Sequence, residues 1–310
     1  MEKKINIFQV DAFTDKPFQG NPAGVAFADG LSTVQMQLIA KEMNLPETAF
    51  IRKLSSQKEG QIKADYNLRW FTPTTEVEIC GHATIASLHF LNENNLLKDG
   101  QEIIFNTLSG NLKCRFKDGK YFMEIPVYSM RAFTGDKEEI LEALGIKKSE
   151  CNDSVPFILV QNNYLYINIK SLKALHSLKP DFKKLLKLSL SKKVFEAVAV
   201  YTLETVEKEN FAHSRFFAPF YGIDEDPVTG SMNGPLIQVL INAGFIKDEG
   251  EKLNYTFEQG DVLGRRGRVS VIYSSAKNEL YISGNAATVF KGEMTTPSPE
   301  RSTLKNGEFS

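Results

Sequence analysis

The sequence predicts an α+β fold built from two similarly planned halves. Three observations carry that prediction: many short β-patterned segments, one long apolar helical segment in each half, and a shared order of residues leading into those helices. In the first half, Arg69–Trp70–Phe71 runs through Pro73, Glu76 and Glu78 to Gly81–His82 and an apolar segment. In the second, Arg215–Phe216–Phe217 runs through Pro219, Asp224–Glu225–Asp226 and Pro227 to Gly230–Ser231 and apolar Leu236–Ala243. Two glycine-led helix starts about half a chain apart suggest a doubled chain with a site between its halves.

Taken in order, Ile5–Phe13 largely alternates apolar and polar residues and reads as a strand. Pro17, Gly20, Pro22 and Gly24 make a tight loop that feeds a strand over Gly24–Phe27. Val34–Met43 has helical spacing and is ended by Asn44 and Pro46. Glu47 then opens the apolar strand Thr48–Ile51. Flanked by Leu45, Pro46, Ala49 and Phe50, its carboxylate is expected to be partly desolvated, which suits proton transfer. An exposed loop glutamate is the plainer alternative.

Asp65–Phe71 reads as a strand entering the Glu76–His82 corner, with a helix over Ala83–Asn92. Gln101–Asn106 and Gly110–Phe116 form a hairpin pattern, Tyr121–Val127 a further strand, and Gly135–Leu144 an amphipathic helix capped by Gly145. Strands over Phe157–Val160, Tyr164–Ile169, Phe195–Thr202 and Asn210–Phe216 enclose two short helices, Leu172–Leu178 and Phe182–Leu188. Their lysines mark a solvated face. At Gly230 the backbone can approach a ligand, and Ser231 stands where an N-cap hydroxyl belongs, which together make an anion site with Asp226 at its lip. A helix is expected over Gly234–Ala243, then strands over Tyr255–Gln259, Leu280–Ser283 and Ala287–Phe290. The Gly264–Arg268 loop resembles a phosphate cradle only loosely, lacks the lysine and hydroxyl of a P-loop, and fits a hairpin bend better. From about Thr295 the chain reads as a polar tail.

Composition narrows the function classes. Over 310 residues, Lys plus Arg number 37 and Asp plus Glu 38, a formal net charge of −1. Such a balance argues against nucleic acid or an anionic membrane as partner. Three widely spaced cysteines, Cys80, Cys114 and Cys151, suit a reducing compartment, and no spacing suggests a zinc site. The opening Met1–Phe8 carries no apolar signal core, so a cytoplasmic location is expected.

Several motifs in order resemble the PhzF-like (phenazine biosynthesis) family: Val10–Asp11–Ala12–Phe13, Gly20–Asn21–Pro22–Ala23–Gly24–Val25, Asn44–Leu45–Pro46–Glu47–Thr48–Ala49–Phe50, Cys80–Gly81–His82–Ala83–Thr84 and Glu225–Asp226–Pro227–Val228–Thr229–Gly230–Ser231. The resemblance implies the diaminopimelate-epimerase-like fold, with two similar lobes, each a mixed or antiparallel sheet wrapped around a central helix, and an active-site cleft between them. On that plan the lobes are 1–118, rejoined by a last strand at about 287–294, and 119–286, with 295–310 a flexible tail. It also implies a homodimer, no metal or organic cofactor, and isomerisation of a small carboxylate-bearing substrate by moving a proton between carbons. By position, Glu47 matches the general acid/base. His82, Asp226 and Ser231 match residues binding the substrate's amino, hydroxyl and carboxylate groups, and Gly81 and Gly230 would donate backbone amides to the carboxylate. The related racemases and epimerases use two facing cysteines. Here Cys80 stands near the first position, while Asp226–Pro227–Val228 offers none at the second. A one-base proton shift therefore leads, with an epimerase or racemase and a non-catalytic binding scaffold as alternatives. Cys80 reads as a small buried hydrophobe, and His89, His176 and His213 as structural.

Overall fold

The computed structural model describes residues 4–54, 64–192 and 194–298. Its α-helices are α1 (Thr33–Met43), α2 (Gly81–Glu93), α3 (Lys137–Leu144), α4 (Leu172–Ser177), α5 (Phe182–Lys192) and α6 (Gly230–Asn242). Two compact units divide the chain. One gathers the described residues of Met1–Phe18, Pro22–Met123 and Asn285–Ser310, the other Gln19–Asn21 and those of Glu124–Gly284.

In the first unit, strand Ala286–Thr295 pairs antiparallel along the whole of strand Lys4–Ala12, with a bulge at Gln9/Val10. Asn21–Phe27 runs parallel to Glu47–Lys53 across the α1 crossover, and Glu47–Lys53 pairs antiparallel with Tyr66–Phe71. The chain then turns through the two-residue strand Glu76–Val77 into α2 and returns as Glu102–Thr107, parallel to Tyr66–Phe71. An antiparallel hairpin with Gly110–Lys117 follows.

The second unit repeats this order. Tyr164–Asn168 lies parallel to Ala197–Thr202 across α4 and α5, and Ala197–Thr202 is antiparallel to Ala212–Ala218. A short strand, Ile223–Asp226, then leads into α6, and Leu253–Gln259 returns parallel to Ala212–Ala218 before its own hairpin with Gly267–Ser274. Sequence periodicity did not mark the short strands before α2 and α6, which are too brief to show a period.

Each unit wraps its sheet around one long helix. Ten of the thirteen α2 residues are buried, and nine of thirteen in α6. A helix apolar on all sides belongs in the centre of a core. Buried hydroxyls in α2 bond back to their own helix, Thr84 Oγ1 to the Cys80 carbonyl and Ser87 Oγ to the Ala83 carbonyl, both at 2.6 Å. In α6, a Cβ on Gly234 would lie 2.1 Å from Ile125 Cδ1 and 3.1 Å from Ile282 Cγ2, so glycine there lets the helix pack close against these side chains.

Both long helices begin earlier than their apolar segments suggest, at Gly81 rather than Ala83 and at Gly230 rather than Gly234. Pro235 inside α6 removes the amide that would bond the Ser231 carbonyl. Asn162 Nδ2 donates to that carbonyl instead, at 3.3 Å, so the helix runs through the proline.

An arginine fork stands before each long helix. Arg69 holds Glu76 with two hydrogen bonds of 2.6 Å and lies 5.1 Å from the Phe71 ring centre. Arg215 holds Glu225 at 2.8 and 2.7 Å and lies 5.0 Å from the Phe217 ring centre. The doubled plan therefore extends to side chains.

Of the expected tail 295–310, Thr295–Ser298 is described, and Gln35 Nε2 donates to the Pro297 carbonyl at 2.7 Å. Residues 299–310 lie outside the described residues. No helix among the described residues is long and apolar enough to cross a membrane.

Candidate active site

The first corner is built by α1 and α2. Ser32 and Gln35 form a capping box that fixes the start of α1, and Asn44 ends it in a left-handed conformation, φ 50°. The turn delivers Glu47 as the first residue of its strand, 9% exposed. Cys80 is the N-cap of α2, and His82 lies in its first turn, both buried.

His82 Nε2 is 3.1 Å from Glu47 Oε2, and Cys80 Sγ is 3.5 Å from His82 Nδ1. The three side chains form a short, buried polar chain. Burial alone would disfavour a charged imidazole, yet Cys80 and Glu47 hold the His82 pKa well above the ordinary histidine value. Burial, and then the Glu47 charge, push the Cys80 thiol up. Cys80 is buried as expected, but it is a polar contact of His82 rather than simply a hydrophobe. One ligand atom from each of Glu47, Cys80 and His82 lies within 4.8 Å of the others, a spacing that could hold a metal ion.

The second corner is built by the loop before α6. Here the sequence reading of Ser231 needs correction, because Thr229 is the N-cap of α6 and Ser231 stands one residue inside the helix. The helix starts at Gly230, which moves the cap position forward. Thr229 makes no side-chain cap hydrogen bond. Its hydroxyl instead donates to Asp226 Oδ2 and accepts from Gln259 Nε2 at 3.1 Å. Asp226 Oδ1 accepts from Asn21 Nδ2 at 2.8 Å, and the same amide donates to the Val228 carbonyl at 2.8 Å.

Gln259 ties these groups to the helix. Its Nε2 donates to the Asp226 carbonyl at 2.8 Å, while its Oε1 accepts from the Thr229 amide at 2.9 Å and from Asn233 Nδ2 at 2.7 Å. The Ser231 side chain hydrogen-bonds the Tyr164 phenol. Burial raises that phenol to about 12, against the Ser231 hydrogen bond and with Tyr128, Asp226 and Glu196, so Tyr164 stays neutral.

A model of the phenazine biosynthesis-like family (PhzC-PhzF) matches residues 10–292. The chain belongs to that family. Among its relatives, an uncharacterised isomerase of Clostridium acetobutylicum is 38% identical over 95% of this chain and 99% of that protein. A PhzF-family protein of Bacillus anthracis has a solved structure matching 94% of this chain and 99% of its own, with a TM-score of 0.85 at 29% identity. A hydroxyproline epimerase of Agrobacterium vitis shares the fold at a TM-score of 0.59 and 11% identity, over 97% of this chain and 95% of its own. The PhzF-like chain thus has the epimerase-type enzyme fold, and its relative carries the name isomerase.

Sequence reasoning singled out Glu47, Gly81 and His82, which the fold brings to one corner, and Asp226, Gly230 and Ser231, which it brings to another. It missed Asn21, Thr229, Gln259 and Tyr164 as partners in the second corner. Asn21 and Thr229 lay inside quoted motifs, where a fully buried asparagine could have been suspected beside Pro22. Gln259, ending a strand, carried no signal. The Gly264–Arg268 loop is a hairpin bend whose arginines are engaged. Arg265 donates to the Gly20 and Gln19 carbonyls at 2.9 and 3.0 Å, and Arg268 forks onto Glu207 at 2.9 and 3.0 Å. The other histidines make fixed contacts: His89 meets Tyr121 and Thr288 at 3.0 Å each, and His213 meets Glu258 at 2.7 Å and His176 at 3.4 Å.

Proposed function

We propose that this PhzF-like chain is a cofactor-independent isomerase that moves a proton between carbons of a small carboxylate-bearing, amino-acid-like substrate. The observation that carries the reading is the buried Glu47 carboxylate 3.1 Å from His82 Nε2. Glu47 takes the proton from a substrate C–H bond, the electron pair left behind shifts into the adjoining π-system, and Glu47 returns the proton to a different carbon. His82 orients the carboxylate. The first-turn amides of Gly81 and Gly230 are suited to a substrate carboxylate, and Asp226 and Ser231 to its amino or hydroxyl groups. Inversion by two thiols is disfavoured, because Asp226–Pro227–Val228 supplies no cysteine.

A thermal-shift screen of small cyclic and aromatic amino acids and hydroxy acids identifies ligands, since binding to the native state raises Tm. Each hit is then incubated in D2O with wild type and with Glu47→Gln and followed by NMR. The expected result is binding by both proteins, with wild type alone placing a solvent deuteron on a new carbon. Full turnover by Glu47→Gln would sink the role given to Glu47. Deuteration with inversion at Cα would make the chain a racemase instead.

A further inference from the structure

The Glu47–Cys80–His82 corner also has the makings of a different site. A thiol, an imidazole and a carboxylate are the donors that borderline-soft divalent cations take, and they are poor matches for magnesium or calcium, which prefer oxygen alone. Their spacing fits such an ion. His82 Nε2 lies 3.1 Å from Glu47 Oε2 and 4.0 Å from Cys80 Sγ, and the three ligand atoms lie within 4.8 Å of one another. Two donors on one tetrahedral zinc ion at ordinary bond lengths stand roughly 3.3–3.7 Å apart. Two of the three separations lie close to that edge length, and the third, within 4.8 Å, closes with a shift of about an ångström at most.

The supports of the site are rigid. Glu47 opens a strand paired on both sides, and Cys80 and His82 are fixed by the start of a helix buried on nearly every face. All three side chains are buried, so a bound ion would be shielded from competing water. Among the described residues, no other group of three His, Cys, Asp or Glu side chains has ligand atoms so close together.

We propose that Glu47, Cys80 and His82 bind one thiophilic divalent cation of the zinc class, and that the bound cation switches off the proton transfer by occupying Glu47. Coordination forms an S–metal and an N–metal bond as the Cys80 thiol and the His82 imidazolium each release a proton to solvent, with no change of oxidation state. The binding claim stands on geometry alone. The inhibition claim rests on the function proposed above.

The test is a titration of the full chain, freed of metal by chelator, with Co2+ in place of spectroscopically silent Zn2+. The expected result is a sulfur-to-cobalt charge-transfer band with visible ligand-field bands, saturating at one ion per chain and lost when Zn2+ displaces Co2+. Cys80→Ser should abolish the charge-transfer band, and Glu47→Gln should weaken binding by roughly tenfold or more. No saturable band, or a full band in Cys80→Ser, would overturn the proposal. If Cys80→Ser fails to fold by melting, His82→Gln decides: unchanged cobalt affinity there also overturns it. The cobalt spectra need no substrate, so failure of this proposal and failure of the isomerase reading are read separately. Once a substrate is in hand, Zn2+ should inhibit wild type at the same concentration that displaces Co2+. Full turnover with the site loaded would overturn the inhibition claim.

Discussion

At the start of α2, the carboxylate of Glu47 meets an imidazole; at the start of α6, the carboxylate of Asp226 meets an asparagine amide and a threonine hydroxyl. The approach to each helix is alike in the two corners. Each helix follows an Arg–Glu fork with a phenylalanine 5.0–5.1 Å from the guanidinium, and neither N-cap residue caps its helix through a side chain. The difference lies in what the partners can do. An imidazole can gain and lose a proton near neutral pH, whereas Asn21, Thr229 and Gln259 can only hold their neighbour in place. The scaffold recurs twice in the chain while the polar partners differ, and on the proposed function one corner moves the proton and the other grips the ligand.

The largest expected effect separates these two roles kinetically. Glu47→Gln should lower kcat by about 10²–10⁴-fold with little change in KM, because it removes the group that transfers the proton. Asp226→Asn should raise KM by about 10–100-fold, the worth of a hydrogen bond to a charged group, with kcat within about tenfold. Steady-state kinetics on a substrate from the screen reads both. Equal kcat losses in the two variants would mean that the second corner takes part in the chemistry.

Two turn glycines, one beside the second corner and one in the other unit, differ in how tightly they are enclosed. Gly260 follows Gln259 at φ 91°, and a Cβ there would lie 2.2 Å from the Arg265 carbonyl oxygen and 2.7 Å from that of Pro227. Those are backbone atoms and cannot turn aside. Gly260→Ala should cost more than about 3 kcal/mol, by overpacking and by strain at positive φ. Gly100, in the other unit at φ 77°, has nothing within 4 Å of the same atom, so Gly100→Ala should cost only about 1–2 kcal/mol. Urea unfolding of both variants measures the gap, and similar costs would show that backbone strain rather than enclosure dominates.

What could be read in the sequence follows the same divide. The doubled plan was visible because the arginine, aromatic and glycine landmarks before each helix are local and similarly spaced. Glu47 and His82 stood out because each sits at a break between elements, where a charged or polar residue among apolar neighbours is conspicuous. The support of Asp226 was not legible, because Asn21 and Gln259 come from positions 205 and 33 residues away. No local pattern encodes such partners. The N-cap was misplaced because Thr229 and Ser231 both offer a hydroxyl at the turn, and the start of α6 at Gly230 decides between them.

The two units should also respond to pH in opposite directions. In the first, the His82 pKa is raised, so the stability from its pairing is fully present below the unfolded value of about 6.5 and is lost as pH rises through the folded value. In the second, Glu258 accepts hydrogen bonds from His213, Asn210 and the amides of Val206 and Glu207. Against burial, which pushes its pKa up, these bonds hold it down to about 2. That contribution, on the order of 3 kcal/mol, is present above about 4.5 and lost as pH falls toward 2. Melting curves across pH for wild type, His82→Gln and Glu258→Gln check the signs. The difference between wild type and His82→Gln should shrink on the alkaline side, and that between wild type and Glu258→Gln on the acid side.

The smallest effect concerns the helices themselves. Helix α2 contains no proline, while α6 carries Pro235 and depends on Asn162 Nδ2, 3.3 Å from the Ser231 carbonyl that the proline leaves without an amide. Asn162→Ala should therefore cost about 1 kcal/mol, the net worth of one hydrogen bond at a part-buried site. Pro235→Ala restores a backbone donor to the same carbonyl. In that background Asn162→Ala should cost about 0.5 kcal/mol less, a coupling that a double-mutant cycle on unfolding free energies isolates from the cavity left by the proline ring. If Asn162→Ala costs the same in both backgrounds, the asparagine acts through some other contact, and the continuity of α6 past its proline owes nothing to this hydrogen bond.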